Sequence, residues 1–166
     1  MTELFAQPYN RDARGFFFNS FDDYQEKAET LRDRFGNVVE EFEILFIDGE
    51  EIDGELFAAM GVTQATLELF FEKADEWDEE EKTRVIVAAN GGYIIEADSN
   101  PYDFDVDIYE VDTLRELAIQ FVDEGEYGDI PEQLQYYIDY DAIARDLGVN
   151  YSETTIAGKR IVYRCG

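Results

Sequence analysis

Tyr102-Asp103-Phe104-Asp105-Val106-Asp107-Ile108-Tyr109 alternates without a break: Tyr102, Phe104, Val106 and Ile108 against Asp103, Asp105, Asp107 and Tyr109. Side chains two apart share one face of a strand, so this period predicts a half-buried strand with an acidic outer face. Directly afterwards the period changes. Leu114, Leu117, Ala118, Phe121 and Val122 fall on one helical face, with Asp112 placed to cap the helix and Gly125 to end it. Pro131 opens a further helix, Glu132 to Leu147, stopped by Gly148, and Glu153 to Cys165 reads as a β-hairpin turning at Ala157-Gly158. A strand, packed helices and a returning hairpin make an α+β unit with antiparallel strands.

Working outward gives two more units of the same class. Leu4–Tyr9 and Phe16-Phe17-Phe18 flank a polar loop, Asn10–Gly15, and read as a β-hairpin. Ser20 caps a helix whose apolar residues Phe21, Tyr24, Ala28, Leu31 and Phe35 are spaced 3, 4, 3, 4, with Gly36 as its stop. Glu41–Ile47 reads as a strand with apolar residues on both faces, which predicts an inner strand. Beyond Gly61, Thr63 caps a helix bearing Leu67, Phe70, Phe71, Ala74 and Trp77. The acidic run Asp78–Glu81 suits another helix N-terminus, while Val85-Ile86-Val87 fits a helix or a strand. The expected organisation is residues 1–60, an α+β unit; 61–101, a central and mostly helical unit; and 102–166, an α+β unit.

Charge narrows the function. Forty acidic residues oppose thirteen basic ones, a net charge of −27 on 166 residues. A small soluble domain carries roughly 2–8 in magnitude. Residues 1–60, 61–105 and 106–166 carry −10, −9 and −8, so the acidity belongs to the whole folded surface and is no appended tail. Such a surface repels nucleic acid and anionic membranes and favours a cationic partner.

There is no histidine, which removes the commonest general base and metal ligand and every Ser-His or Cys-His nucleophile pair. The single cysteine, Cys165, reads as a frayed terminal thiol and excludes a disulfide framework, which fits a reducing cytoplasm. No secretory signal or apolar membrane span is visible. Asp103-x-Asp105-x-Asp107 resembles the start of a calcium loop. The pattern fails at Ile108, where glycine is needed, and at Leu114, where a bidentate glutamate is needed. No catalysis, metal or cofactor is expected.

Duplex DNA carries one charge per ~1.7 Å of axis, so 27 charges match ~46 Å of duplex. One strand, with side chains on a face every ~6.8 Å, is too sparse to imitate both phosphate rows, so several elements must share the task. Composition fits such a decoy and fits equally an acidic, halophile-type interaction module with no DNA-binding target. Lysine is scarce, four against nine arginines, which leans to the latter. A hydrolase using paired carboxylates would need a deep pocket and a fixed separation.

Pro131, Leu134, Gln135, Tyr137, Ile138, Asp139, Tyr140, Arg145, Asp146 and Leu147 follow a pattern P-x-x-L-Q-x-Y-I-D-Y, then R-D-L. This resembles the signature of the ArdA antirestriction proteins. Gly15-Phe16-Phe17-Phe18 and the strand Val39-Glu40-Glu41-Phe42-Glu43-Ile44, ending near Asp48, resemble further family segments; the Asn90-Gly91-Gly92 break matches none. The resemblance implies three small α+β units in a curved, elongated row, a homodimer through the C-terminal unit, mimicry of bent duplex DNA, and inhibition of type I restriction-modification enzymes. It also implies frequent carriage on mobile genetic elements.

The signature helix bears two adjoining apolar stripes, Leu134, Ile138 and Ala142 beside Tyr136, Tyr140, Ile143 and Leu147, wider than a single core contact needs. A second contact surface is expected at Tyr136, Tyr137, Tyr140, Ile143 and Leu147. Arg145 is expected to form an internal ion pair. The expected partner-binding acids are Asp22, Asp23, Glu26, Glu79, Glu80, Glu81, Asp103, Asp105, Asp107, Asp123, Glu124, Asp139 and Asp141.

Overall fold

A computed structural model describes all residues, Met1–Gly166. The fold is α+β, with two three-stranded antiparallel sheets. The chain divides into two compact units, Met1–Asp103 and Phe104–Gly166.

In the first unit, β1 (Glu3–Pro8) and β2 (Phe16–Phe18) form the hairpin, and β3 (Phe42–Asp48) pairs with the other edge of β1. The order β2-β1-β3 makes β3 an edge strand and not the inner strand expected. Its second apolar set, Leu45 and Ile47, stays exposed. Leu4, Ala6, Phe18, Phe42 and Ile44 form the buried face of the sheet. Helix α1 (Phe21–Thr30) sets Tyr24 among Phe16, Phe18 and Phe42, with ring centroids 5.1–6.0 Å apart.

The start of α1 is as expected: the Asp23 N–H donates to Ser20 Oγ at 3.1 Å. Its end is not. The helix stops at Thr30, short of Leu31 and Phe35, because the buried Asp33 carboxylate captures the Phe35 and Asn37 N–H groups at 2.8 and 2.9 Å. Gly36 (φ +83°) belongs to that loop.

Helix α2 (Glu51–Met60) was not expected at all. It ends at Gly61 in the left-handed region (φ +57°). Thr63 opens a short 3-10 turn, Gln64–Thr66, that runs into α3 (Leu67–Glu76). Helix α4 (Glu79–Asn90) absorbs Val85-Ile86-Val87, settling that segment as helix. Its reciprocal cap explains the start: the Glu81 N–H donates to Asp78 Oδ1 at 2.8 Å, and the Asp78 N–H donates to Glu81 Oε2 at 2.9 Å. Phe57 of α2 bridges Phe46 of β3 and Phe70 of α3, at 5.8 and 5.3 Å.

In the second unit, the alternating stretch is a strand only from Val106 to Tyr109 (β4). Its first half is turned by Asn100, whose Oδ1 accepts the Tyr102 N–H and whose carbonyl accepts the Asp103 N–H. Helix α5 (Leu114–Asp123) is capped by Thr113 and not Asp112; the Glu116 N–H donates to Thr113 Oγ1 at 3.1 Å. The helix expected across 132–147 is two pieces: a 3-10 helix, Glu132–Tyr137, and α6 (Tyr140–Leu147). The break follows from Asp139, which leaves the helical region to cap α6, accepting the Ala142 N–H at 3.0 Å.

Strands β5 (Ser152–Ile156) and β6 (Lys159–Cys165) form the terminal hairpin, and the sheet order is β4-β6-β5. Ala157 (φ +50°) and Gly158 (φ +80°) make the two-residue turn, the geometry that matches strand twist. Cys165 is no frayed end: it pairs with Val106 and is half-buried. The core is Leu117, Phe121 and Val162, ringed by Tyr109, Val111, Leu114, Leu147 and Tyr151.

Candidate functional site

The carboxylates must be sorted by what holds them, since an acid already paired offers less charge to a partner. On α1, Asp22 and Glu26 are exposed, while Asp23 is bound to Lys27 Nζ at 3.1 Å and accepts the Asn19 N–H. On α4, Glu79 and Glu80 are exposed in the first turn and Glu81 is committed to the reciprocal cap. Their field is felt next door. Burial first, then the charges of Glu80, Asp78 and Glu81, hold the Tyr102 phenol above its ordinary pKa, opposed by Arg84.

The acids expected on one strand face are split. Asp103 is exposed in the turn, while Asp105 and Asp107 converge on Arg164, at 3.3 and 2.6 Å from its Nη2. The Asp107 hydrogen bond and charge raise the Arg164 pKa, against its desolvation. Asp123 and Glu124 are exposed at the end of α5, where Glu124 accepts from Gln120. Asp139 is spent on its cap, and Asp141 pairs with Arg115 Nε at 3.1 Å.

The sequence reading missed the acid row on α3. Glu68, Glu72, Asp75 and Glu76 are all exposed, opposite the buried Leu67 and Phe70. Positions 68, 72 and 76 are four apart, so they stack every ~6 Å along the helix axis. The signal was present as the polar complement of the apolar stripe. Beneath these helices lie two buried lysines. Lys73 pairs with Glu76 at 3.0 Å and lies 5.5 Å from the Trp77 ring centroid; Lys82 pairs with Asp53 at 2.7 Å.

The expected second contact surface is divided by the break at Asp139. Tyr136 and Tyr137 are 95% and 82% exposed on the 3-10 helix. Tyr140, Ile143 and Leu147 are half-buried on α6; Leu147 packs on the core and Tyr140 lies under Arg115, 5.7 Å from guanidinium to ring centroid. Arg145 makes no ion pair, contrary to expectation. It is exposed in the last turn of α6, where positive charge suits the helix dipole.

No group of three or more Cys, Asp or Glu side chains is placed to hold a metal ion. No helix is long and apolar enough to cross a membrane.

A family model described as antirestriction protein (ArdA) matches residues 17–159. No curated protein matches the chain.

Proposed function

From the chain's membership of the ArdA family of antirestriction proteins, we propose that it is a DNA mimic that occupies the DNA-binding groove of a type I restriction-modification enzyme. The observation that carries the proposal is the state of the acids. Asp22, Glu26, Glu68, Glu72, Asp75 and Glu80 are exposed on three helices and make no ion pair. A DNA-binding groove already presents lysine and arginine at phosphate spacing. Carboxylates held on rigid helices engage the same cations and release the same counterions, so binding weakens with salt as DNA binding does. The protein acts by occupancy and catalyses nothing.

The reading extends to the remaining expected surface. Glu79, Asp103, Asp123 and Glu124 add to the anionic field; Asp23, Glu81, Asp105, Asp107, Asp139 and Asp141, whose carboxylates serve caps or ion pairs, contribute less. The exposed Leu134, Tyr136 and Tyr137 form the contact of a cytoplasmic homodimer, tyrosine being favoured at interfaces.

The test is displacement of a labelled duplex carrying the recognition sequence from a purified type I methyltransferase, repeated across salt. Displacement that weakens steeply between ~50 and ~200 mM salt is the expected result. Failure to displace DNA at low salt refutes the mimic. Light scattering that shows a monomer at micromolar concentration refutes the dimer.

A further inference from the structure

The first unit's sheet turns one face to its helices and leaves an apolar row on the other. The register sets Phe5 opposite Phe17 of β2 and opposite Leu45 of β3, so three apolar side chains cross the sheet side by side. The Phe5 and Phe17 rings meet edge to face, 4.8 Å between centroids. Ile47 lies two residues beyond Leu45 on β3, unpaired at the bulge between the Leu4–Phe46 and Glu3–Asp48 pairs. Phe17, Leu45 and Ile47 are 50%, 38% and 47% exposed. Gly15 fits against Phe5 only because it lacks a side chain; a Cβ there would collide with the ring. The uncovered face of an antiparallel sheet is normally polar, and this one is apolar at the centre of all three strands.

Its border is acidic. Glu3 and Asp48 pair at one end of the sheet and Glu43 lies beside Gln7 at the other, all exposed apart from their backbone pairing. That border selects the occupant. A second copy on this face would set three border carboxylates against three more, and an anionic lipid surface would be repelled likewise. A protein segment with an apolar centre and a lysine or arginine rim fits both parts.

We propose that the row Phe17–Phe5–Leu45–Ile47 docks an apolar, basic-rimmed segment of the restriction enzyme. The proposal rests on the mimic reading above and adds something phosphates do not supply. Apolar contact is insensitive to counterion release, so it adds a constant increment to a salt-dependent affinity.

The test is the same displacement assay, run with Phe17→Thr/Leu45→Thr/Ile47→Thr, three replacements that keep strand propensity on exposed positions. Log affinity against log salt should give a line parallel to that of the unmodified protein. It should lie lower by roughly tenfold throughout, the effect of losing a modest apolar contact. Circular dichroism checks the fold; if the triple variant fails to fold, Ile47→Thr alone should give a parallel offset of roughly threefold. A variant line that coincides with the unmodified one overturns this inference and leaves the mimic reading standing, as does a changed slope with no offset. Variants that dissociate a dimer without altering displacement assign the row to a second copy and overturn it too. An unmodified protein that displaces no DNA ends both proposals.

Discussion

Replacing Lys82 with methionine isolates the one ion pair that the fold has buried. Its Nζ lies 2.7 Å from Asp53 Oδ1, and the two side chains are 9% and 11% exposed. The pair joins α2 to α4 across 29 residues of sequence. Methionine keeps most of the apolar stem and removes the charge, leaving Asp53 buried with no cation. Breaking a buried pair from one side costs about 3–5 kcal/mol, because the remaining charge has neither water nor partner. That is a fifth or more of the stability of an ordinary domain, about 5–15 kcal/mol. Urea unfolding followed by circular dichroism measures it.

A second readout separates charge from packing. Asp53→Leu/Lys82→Met, which removes both charges, should recover most of the loss, because no charge is then left buried without a partner. A single-variant deficit below about 1 kcal/mol, or a double variant that recovers none of it, refutes the argument.

Three further outcomes follow from the geometry. Asp33→Ala should loosen the loop after α1. The Asn37, Asn10 and Phe35 hydrogen bonds hold the Asp33 carboxyl below its ordinary value of 3.8. That contribution is complete above the unfolded pKa and is lost as pH falls through the lower folded one, so the variant's acid-unfolding curve should be shallower below pH 3.8. Ala157→Gly should stabilise the terminal hairpin by about 1 kcal/mol, read as a raised melting temperature, because it relieves a left-handed residue at φ +50°. Neutralising Glu68, Glu72 and Glu80 to glutamine should weaken DNA displacement more than neutralising Asp105 and Asp107 to asparagine, since Arg164 already holds the latter; equal effects in the salt-titrated assay would contradict this.

What the sequence revealed is what local chemistry decides. The Ser20 cap, the acidic start of α4 at Asp78–Glu81, the period of α5 and the Ala157-Gly158 turn all depend on near neighbours in the chain. What it concealed is set by distant partners. Helix α2 has no side-chain cap to announce it and carries Gly54 in its first turns; its reason lies elsewhere. Gly54 sits under the Phe46 ring, where a Cβ would come within 3.2 Å of it, and Asp53 reaches across to Lys82. The loop after α1 joins both kinds: Asp33 holds the nearby Phe35 and Asn37, and Asn10 holds Asp33 from 23 residues away. The pairing of Asp105 and Asp107 with Arg164 spans nearly sixty, so alternation alone could not show that an acidic face was partly neutralised. The break at Asp139 is the exception. Its cause is local, but the continuous apolar stripes outweighed a capping aspartate in the pattern.

Net charge is a poor guide to what a cationic partner meets. In the second unit, Arg115, Arg160 and Arg164 hold Asp141, Glu153, Asp105 and Asp107, so its outward field is smaller than its composition suggests. Exposed pairs of this kind stabilise by only about 0–1 kcal/mol each, and their larger effect is on the field. In the first unit, surface cations cover Asp23 and Asp12 through Lys27 and Arg34. Two of the chain's four lysines, Lys73 and Lys82, are buried beneath the helices whose outer faces carry the acid rows. They are taken up by Glu76 and Asp53, so neither covers the exposed Glu68, Glu72, Asp75 and Glu80. Arginines placed outside would have covered those carboxylates themselves. The arrangement of cations, more than the count of acids, is thus what leaves α1, α3 and α4 with exposed, unpaired carboxylates, the feature on which the proposed mimicry depends.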